Sequence, residues 1–168
     1  MLTISMTKNK IKNKVYDCIT FYQANMLFQL RFEILKDVVD YFVICEANKS
    51  HTGLKKEFNF NPKIPEKYKN KIIYIKVTDL PDIKIKGKKD YKLLSLQMEN
   101  LFKGIQSANQ NDLIIFSDED EIPNPNIINS FNFNKHKFGI FLQNMYYYKL
   151  NIMNIDEGNG NWAGSRIC

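Results

Sequence analysis

Short apolar runs alternate with amphipathic stretches along most of the chain. The runs have the length and composition of buried strands, and they cover Val15 to Phe21, Tyr41 to Cys45, Ile72 to Val77 and Leu113 to Phe116. Two longer stretches with helical spacing, Ala24 to Val39 and Tyr91 to Ala108, lie between them. Strands that alternate with helices predict an α/β domain with a mainly parallel sheet flanked by helices.

The stretch from Tyr91 to Ala108 has the most regular helical pattern. Its apolar stripe predicts the face that packs on the sheet, formed by Leu94, Met98, Leu101, Phe102 and Ile105. Farther along, the pattern predicts a short helix from Ile127 to Phe133 and a long aromatic strand from Phe138 to Leu150. It assigns no regular element to the tail that ends at Cys168.

Four acidic residues, Asp118 to Glu121, follow the last buried run after a single serine. In α/β sheets, ligands bind outside the carboxyl ends of the strands. In extended chain Asp118 and Asp120 would point to the same side with Cα atoms roughly 6.6 Å apart, and could share one hard cation such as Mg²⁺ or Mn²⁺. Glu119 and Glu121 would then point away into solvent. A simpler interpretation is an acidic turn that precedes a helix capped by Asn124.

A second acidic side chain is expected at the same edge of the sheet. Glu46 follows the buried run Tyr41 to Cys45, and parallel strands place their carboxyl ends together. We therefore predict that Glu46 lies within one ligand's length of Asp118. A calcium loop is disfavoured at Asp118 because the acidic run lacks the glycine that such a loop needs at its bend.

Composition indicates one soluble globular domain. The chain has 168 residues, of which 44% are hydrophobic and 25% charged, and this length is too short for two cores. The net charge of +6 suits an anionic ligand such as a nucleoside diphosphate, or peripheral contact with an anionic membrane surface. The lysines are scattered rather than clustered with aromatic residues, which disfavours nucleic acid.

Other sequence features exclude several classes of protein. The three cysteines have neither metal-ligand spacing nor an even count for a disulfide framework. No signal peptide and no stretch of ~20 apolar residues is present, so we expect a cytoplasmic protein. The absence of a GxGxxG or Walker motif disfavours dinucleotide and P-loop chemistry. The lone histidines His51 and His136 are expected on the surface.

Several segments together resemble the glycosyltransferases of family 17, the β-1,4-mannosyl-glycoprotein β-1,4-N-acetylglucosaminyltransferase family. The resemblance spans most of the chain in the family's order, and it rests on VYDC at Val15, DVVDYFVICEANKSHTG from Asp37, KIIYIKVTDLP from Lys71, SDEDEIPNP from Ser117, YYYKLN from Tyr146 and WAG from Trp162. It departs from the family pattern at Ala24, Met26 and Gln29, and at Leu93 and Met98, where charged residues are common.

The resemblance implies a GT-A fold, in which nucleotide-diphospho-sugar transferases bind their donor. It implies a metal-dependent, inverting transfer of N-acetylglucosamine, or a similar sugar, from a UDP-sugar to a glycan hydroxyl. Asp118 would contact the donor and the Mn²⁺ or Mg²⁺ ion, Asp120 would hold the ion, and Glu46 would contact the nucleoside unless it is a solvated loop acid. Glu121 is a candidate catalytic base by proximity. Trp162 either stacks on the acceptor sugar or plugs the edge of the core.

Two other functions remain open at this stage. A haloacid-dehalogenase-type phosphatase also carries DxD after an apolar strand, although Ile122 stands where that class commonly has Thr or Val. A non-catalytic carbohydrate-binding remnant is the other. We expect one domain over residues 1–168, flexible over 1–13 and truncated in its acceptor half. Such a chain would bind the donor but transfer its sugar slowly.

Overall fold

The described residues form a six-stranded sheet flanked by helices. The computed structural model describes residues 13–83, 91–133, 135–146, 152–154 and 161–168. The strands are β1 (Val15–Phe21), β2 (Tyr41–Ala47), β3 (Ile72–Val77), β4 (Leu113–Asp118), β5 (Gly139–Asn144) and β6 (Asn161–Ile167). The helices are α1 (Asn25–Leu35), α2 (Lys92–Glu99), α3 (Pro125–Ser130) and two 3₁₀ helices, Glu66–Lys71 and Asn100–Gly104. The prediction of flexibility covers residues 1–13, and all of these except residue 13 lie outside the described ranges.

The strand order is β3-β2-β1-β4-β6-β5. The first four strands in this order are parallel, whereas β6 pairs antiparallel with both β4 and β5. This arrangement confirms the predicted α/β class with a mainly parallel sheet, and it is consistent with a GT-A-like fold. Phe21 pairs with Glu46, and Thr20 pairs with Asp118. The carboxyl ends of β1, β2 and β4 therefore meet at one edge of the sheet.

One face of the sheet is covered by α1. Phe28, Phe32 and Leu35 are buried there against Phe42 and Ile44 of β2, with the Phe32 and Phe42 ring centroids 5.3 Å apart. The helix is shorter than the predicted Ala24 to Val39. It ends at Leu35 because the next residues turn back into β2, and the Val38 N–H donates to the Leu35 carbonyl (3.0 Å).

The opposite face is covered by α2 and the 3₁₀ helix after it, and the predicted face is confirmed only at Leu101 and Ile105. Leu93, Gln97, Leu101 and Gly104 are the buried positions, while Phe102 of the predicted stripe is 59% exposed. The single helix predicted to reach Ala108 instead tightens into 3₁₀ geometry from Asn100. Gly104 is the last of these buried positions, so the backbone of a glycine, rather than a larger side chain, packs against the sheet.

Replacing Gly104 by alanine is expected to destabilise the protein. A methyl group at this position would overlap the Val43 side chain and lie 3.1 Å from Ile75 Cδ1, and overpacking of this kind costs about 1–3 kcal/mol. Urea denaturation measures the change in the free energy of unfolding. The pair Gly104→Ala and Val43→Ala should lose less than the sum of the single changes, because Val43→Ala makes room. A double variant whose loss of unfolding free energy equals the sum of the two single losses would contradict the close contact between Gly104 and Val43.

The C-terminal strand β6 is the element that the pattern does not predict. Its sequence NWAGSRI lacks a run of β-branched residues, and pairing on both sides holds it in the sheet. The predicted aromatic strand is shorter, ending at Asn144, and residues 147–150 lie outside the described part. The short helix begins at Pro125 and confirms Asn124 as its cap, with the Asn124 side chain accepting from the Asn126 N–H (2.9 Å). It ends at Ser130, before the predicted Phe133.

Candidate active site

The acidic cluster forms a tight turn at the carboxyl end of β4. The Glu121 N–H donates to the Asp118 carbonyl (3.2 Å), and the Asp118 N–H donates to Glu121 Oε2 (3.3 Å). The expectation of an extended segment with Asp118 and Asp120 on one side is therefore wrong, because the chain reverses here. Asp118 and Asp120 nevertheless line the same two grooves.

A buried ion pair holds this acidic turn in place. Arg31 of α1 contacts both carboxylate oxygens of Asp17, at 2.7 and 2.6 Å, and both side chains are fully buried. The remaining guanidinium nitrogen of Arg31 donates to the carbonyls of Asp118 (3.3 Å) and Glu121 (2.9 Å). Ser165 of β6 also donates to the Glu121 carbonyl (2.8 Å). Helix α1 and strands β1 and β6 thus position the turn together.

The glutamates of the turn are engaged by the protein rather than merely solvated, which corrects the prediction for Glu119 and Glu121. Glu119 Oε2 accepts from the Tyr22 N–H (3.1 Å). Glu121 Oε1 accepts from the indole N–H of Trp162 (2.6 Å). The turn therefore presents Asp118 and Asp120 as its exposed carboxylates.

The electrostatics of the turn favour a cation. Partial burial at the base of the turn raises the pKa of the Asp118 carboxyl above its ordinary value, and the neighbouring charges of Glu121 and Asp120 raise it further. His51 and Arg166 act on this pKa in the opposite direction. Gathered carboxylates of this kind repel one another, and a bound cation would relieve the repulsion.

The carboxylates of the turn suit a cation that takes only some of its ligands from the protein. Within the described part of the chain, no group of three or more His, Cys, Asp or Glu side chains is arranged to hold a metal ion. Asp118 and Asp120, which line the same two grooves, are the two carboxylates that would hold an ion there, with water and substrate oxygens as its other ligands. This sharing is usual for Mg²⁺, which is commonly bound by one or two carboxylates together with substrate phosphates.

Three grooves meet at Asp118. The strand-end groove, of about 310 Å³, lies at the ends of β1 and β4 and is lined by Thr20, Tyr22, His51, Asp118 and Asp120. The tryptophan groove, of about 400 Å³, is lined by Asp118, Asp120, Glu121, Gln143, Tyr146 and Trp162. The apolar groove, of about 590 Å³, is lined by Leu94, Met98, Phe102, Phe116, Asp118 and Arg166. A ligand at Asp118 can therefore extend in three directions.

Glu46 lies at the predicted edge of the sheet but points away from these grooves. Its fully buried carboxylate faces the α1 side of the sheet and accepts four hydrogen bonds, from Lys56 Nζ (2.5 Å), Asn59 N (2.9 Å), Phe60 N (3.1 Å) and Tyr74 Oη (2.6 Å). The side chain thus fixes the loop before β3. The structure does not bring Glu46 together with Asp118, Asp120, Glu121 and Trp162.

His51 and Gln97 are site residues that the sequence analysis missed. Gln97 is 2% exposed, and its amide nitrogen donates to the carbonyls of Cys45 (2.7 Å) and Phe21 (3.4 Å). This orientation turns Gln97 Oε1 towards His51 Nε2, at 3.2 Å, so the proton of a neutral His51 lies on Nε2. The available signal was the position of His51 in the loop after a parallel strand.

Replacing Gln97 by methionine is expected to disturb the strand-end groove. The change leaves the Cys45 and Phe21 carbonyls without this donor and costs about 1–3 kcal/mol of stability. His51 also loses its acceptor, so its ring should lose its fixed orientation. NMR of the His51 imidazole and thermal unfolding measure the two effects. The same substitution at exposed Gln106 is the control, and equal effects at both positions would contradict the account.

The fold and the site together define the class of protein. It is an α/β domain, consistent with the GT-A fold, and its parallel strands end at a turn of carboxylates that is bordered by three grooves. The family follows from comparison, since the model of glycosyltransferase family 17 matches residues 4–156. The chain belongs to glycosyltransferase family 17. This membership supports a glycosyltransferase that uses a nucleotide sugar and a glycan acceptor. A search of curated proteins finds no match.

No helix within the described ranges has the length and apolar character needed to cross a membrane.

Proposed function

We propose that the protein transfers N-acetylglucosamine, or a similar sugar, from a UDP-sugar to a glycan hydroxyl with inversion, assisted by Mn²⁺ or Mg²⁺. The observation that carries the proposal is the position of Asp118, which borders all three grooves beside Asp120 and Glu121. The family match supports the transferase class and leaves the phosphatase hypothesis without support. The donor sugar, the metal and the acceptor are the proposed parts.

The strand-end groove is the proposed donor site. It lies at the carboxyl ends of parallel strands, where ligands bind in open α/β sheets. Tyr22, which is 41% exposed, offers an aromatic ring for a nucleobase, and His51 offers a polar ring nitrogen. The diphosphate would then extend towards Asp118 and Asp120 in the same groove.

A divalent ion would be held by Asp118 and Asp120. When bound, such an ion stabilises the negative charge that develops on the departing diphosphate. The contribution of the protein is to keep the two carboxylates in fixed positions. Arg31 and Ser165 supply that rigidity through their hydrogen bonds to the backbone of the turn.

The tryptophan groove is the proposed acceptor site. Trp162 is 47% exposed, and its N–H···Glu121 bond fixes the orientation of the ring. A fixed, half-exposed indole suits one face of a sugar ring. This arrangement supports the acceptor role predicted for Trp162 over a plug at the edge of the core.

Glu121 is retained as the proposed base for the acceptor hydroxyl, with Asp120 beside it. A carboxylate has about four lone-pair sites, so Glu121 can still accept a proton while bonded to Trp162 and to the Asp118 N–H. Glu121 lines the tryptophan groove together with Asp118, which supports a role beside the acceptor hydroxyl. General base catalysis contributes about 10²–10⁴-fold.

Two substitutions at Trp162 separate its proposed roles. Trp162→Phe keeps an aromatic face but removes the N–H donor to Glu121, so the turnover number should fall with little change in the acceptor KM. Trp162→Ala removes both, so the acceptor KM should also rise. Steady-state kinetics with varied acceptor measures the split. A rise in acceptor KM for Trp162→Phe equal to that for Trp162→Ala would contradict the stacking role.

The proposal as a whole is tested by a transfer assay. Labelled N-acetylglucosamine from UDP-N-acetylglucosamine is offered to a panel of mannosylated and bacterial glycans, with Mn²⁺ and with chelator. We expect Mn²⁺-dependent transfer or, in the absence of an acceptor, slow hydrolysis of the donor. A protein that neither transfers N-acetylglucosamine nor hydrolyses UDP-N-acetylglucosamine, yet binds the glycans of the panel, would instead be the non-catalytic carbohydrate-binding remnant.

A further inference from the structure

On the face of the sheet that carries α2, described side chains of β4, β6 and β5 are partly or largely exposed. Phe116 of β4 pairs directly with Arg166 of β6, and Arg166 pairs with Ile140 of β5. Directly paired residues project to the same side of a sheet, so these three side chains form a row across three strands. Ile140 is 52% exposed and Arg166 is exposed. The row is accessible to a ligand in the described part of the protein.

The apolar groove is the inner end of this row. Its wall comes from α2 and the following 3₁₀ helix through Leu94, Met98 and Phe102, and its floor is Phe116. The rings of Phe102 and Phe116 lie 6.0 Å apart between centroids, although Phe102 is 59% exposed. The volume of about 590 Å³ falls within the usual range of ligand sites. Contiguous exposed apolar surface of this kind marks a binding groove.

Three kinds of side chain line the groove. It is apolar at Met98 and Phe102, cationic at Arg166, and acidic at Asp118 and Glu121. The two acidic residues also line the tryptophan groove, so the apolar groove borders the proposed acceptor site. A UDP-sugar has no long apolar group, and the strand-end groove already accounts for it. The remaining ligand of the reaction is the acceptor.

We propose, building on the proposed function, that the acceptor is an amphiphile whose apolar chain lies in the apolar groove. A phosphate between the chain and the sugar would meet Arg166, and the sugar would reach Asp118, Glu121 and Trp162. The apolar wall, the Arg166 cation and the acidic residues shared with the tryptophan groove would each meet one part of such a ligand. This proposal names a phosphate-linked lipid glycan as the class of acceptor.

Calorimetric titration with n-alkyl phosphates tests the groove without knowledge of the sugar. Methyl, butyl, hexyl and octyl phosphate are used below their micelle concentrations. Each added methylene should raise affinity by about twofold to fourfold, the upper figure corresponding to complete burial. Octyl glucoside, which has the same chain without the charge, should bind more weakly than octyl phosphate. Affinity that does not depend on chain length would overturn the proposal.

Matched variants locate the binding. Phe102→Ser should lower octyl phosphate affinity about tenfold, because it removes the groove's most exposed wall, while Leu54→Ser, which removes another exposed apolar side chain, should not. Arg166→Gln should abolish the preference for phosphate over glucoside, whereas Lys137→Gln should preserve it. Equal effects of the groove variants and their controls would overturn the proposal.

Two further measurements separate this proposal from its rivals. Phe102→Ser should bind UDP with Mn²⁺ as the unchanged protein does, and failure of both proteins to bind UDP would refute the donor site rather than the groove. Sedimentation measures the oligomeric state. A dimer that Phe102→Ser dissociates and that octyl phosphate does not enter would show that a second copy covers the groove, and would overturn the proposal.

Discussion

Replacing Asp120 by asparagine is expected to lower the rate of sugar transfer by about 10²–10³-fold, the usual cost of removing one group that stabilises transition-state charge. Asparagine keeps the size of the side chain but removes the negative charge that a divalent ion requires. Asp120 is exposed in the acidic turn, so the fold should be unaffected. Initial rates of donor hydrolysis and transfer with Mn²⁺ measure the loss.

The matched control for this change is Asp37→Asn. Asp37 is also exposed, in the turn after α1, and it lies outside the three grooves at Asp118. Its replacement should leave the rate within about twofold of the unchanged protein, since exposed substitutions away from a site have small effects. Equal losses for Asp37→Asn and Asp120→Asn would show that general charge, and not a metal site, determines the rate.

Replacing Arg31 by methionine is expected to have the largest effect on stability. It leaves the fully buried Asp17 carboxylate without its bidentate partner, and breaking a buried ion pair in this way costs about 3–5 kcal/mol. The acidic turn also loses two backbone hydrogen bonds. Urea denaturation should therefore show a large fall in the midpoint, and UDP binding should weaken as well.

A double variant separates stability from function at this ion pair. Asp17→Leu combined with Arg31→Met replaces the pair by apolar side chains, and such replacements are often neutral for stability. The fold should therefore recover most of its stability, while binding of UDP and Mn²⁺ stays weak because the carbonyls of Asp118 and Glu121 lack their donor. A double variant that binds UDP as tightly as the unchanged protein would show that the turn holds its own shape.

The sheet was predictable because its parallel strands are continuous apolar runs. The predicted bounds of β1 and β3 agree with the structure, since both runs end at polar residues. The face of α2 was not predictable from periodicity, because Gln97 is polar and yet buried to bond the ends of β1 and β2. Gly104 adds no side chain to an apolar stripe, although its backbone packs against Val43 and Ile75 of the sheet.

Strand β6 was not predicted from the sequence, for a different reason. Its residues have little intrinsic preference for a strand, and its partner β4 lies more than 40 positions earlier in the chain. Long-range pairing of this kind overrides local propensity. Trp162 and Arg166 were therefore not placed beside the acidic turn, even though Trp162 had been singled out.

The acidic turn was predictable as a site, but the hydrogen bonds that hold it in place were not. A run of carboxylates after a buried strand is a local signal. Arg31 appears in the sequence as an ordinary polar position of a helix, and its bonds to Asp118 and Glu121 span 87 and 90 residues. Glu46 gave the same local signal as Asp118. It points to the other face of the sheet because side chains alternate along a strand.

Calorimetric titration of UDP with and without Mn²⁺ tests the central claim most directly. The account predicts that the unchanged protein binds UDP much more tightly when Mn²⁺ is present, and that Asp120→Asn loses this dependence. Binding of UDP that is independent of the metal and equally strong in both proteins would contradict the assignment of Asp118 and Asp120 as the metal and donor site.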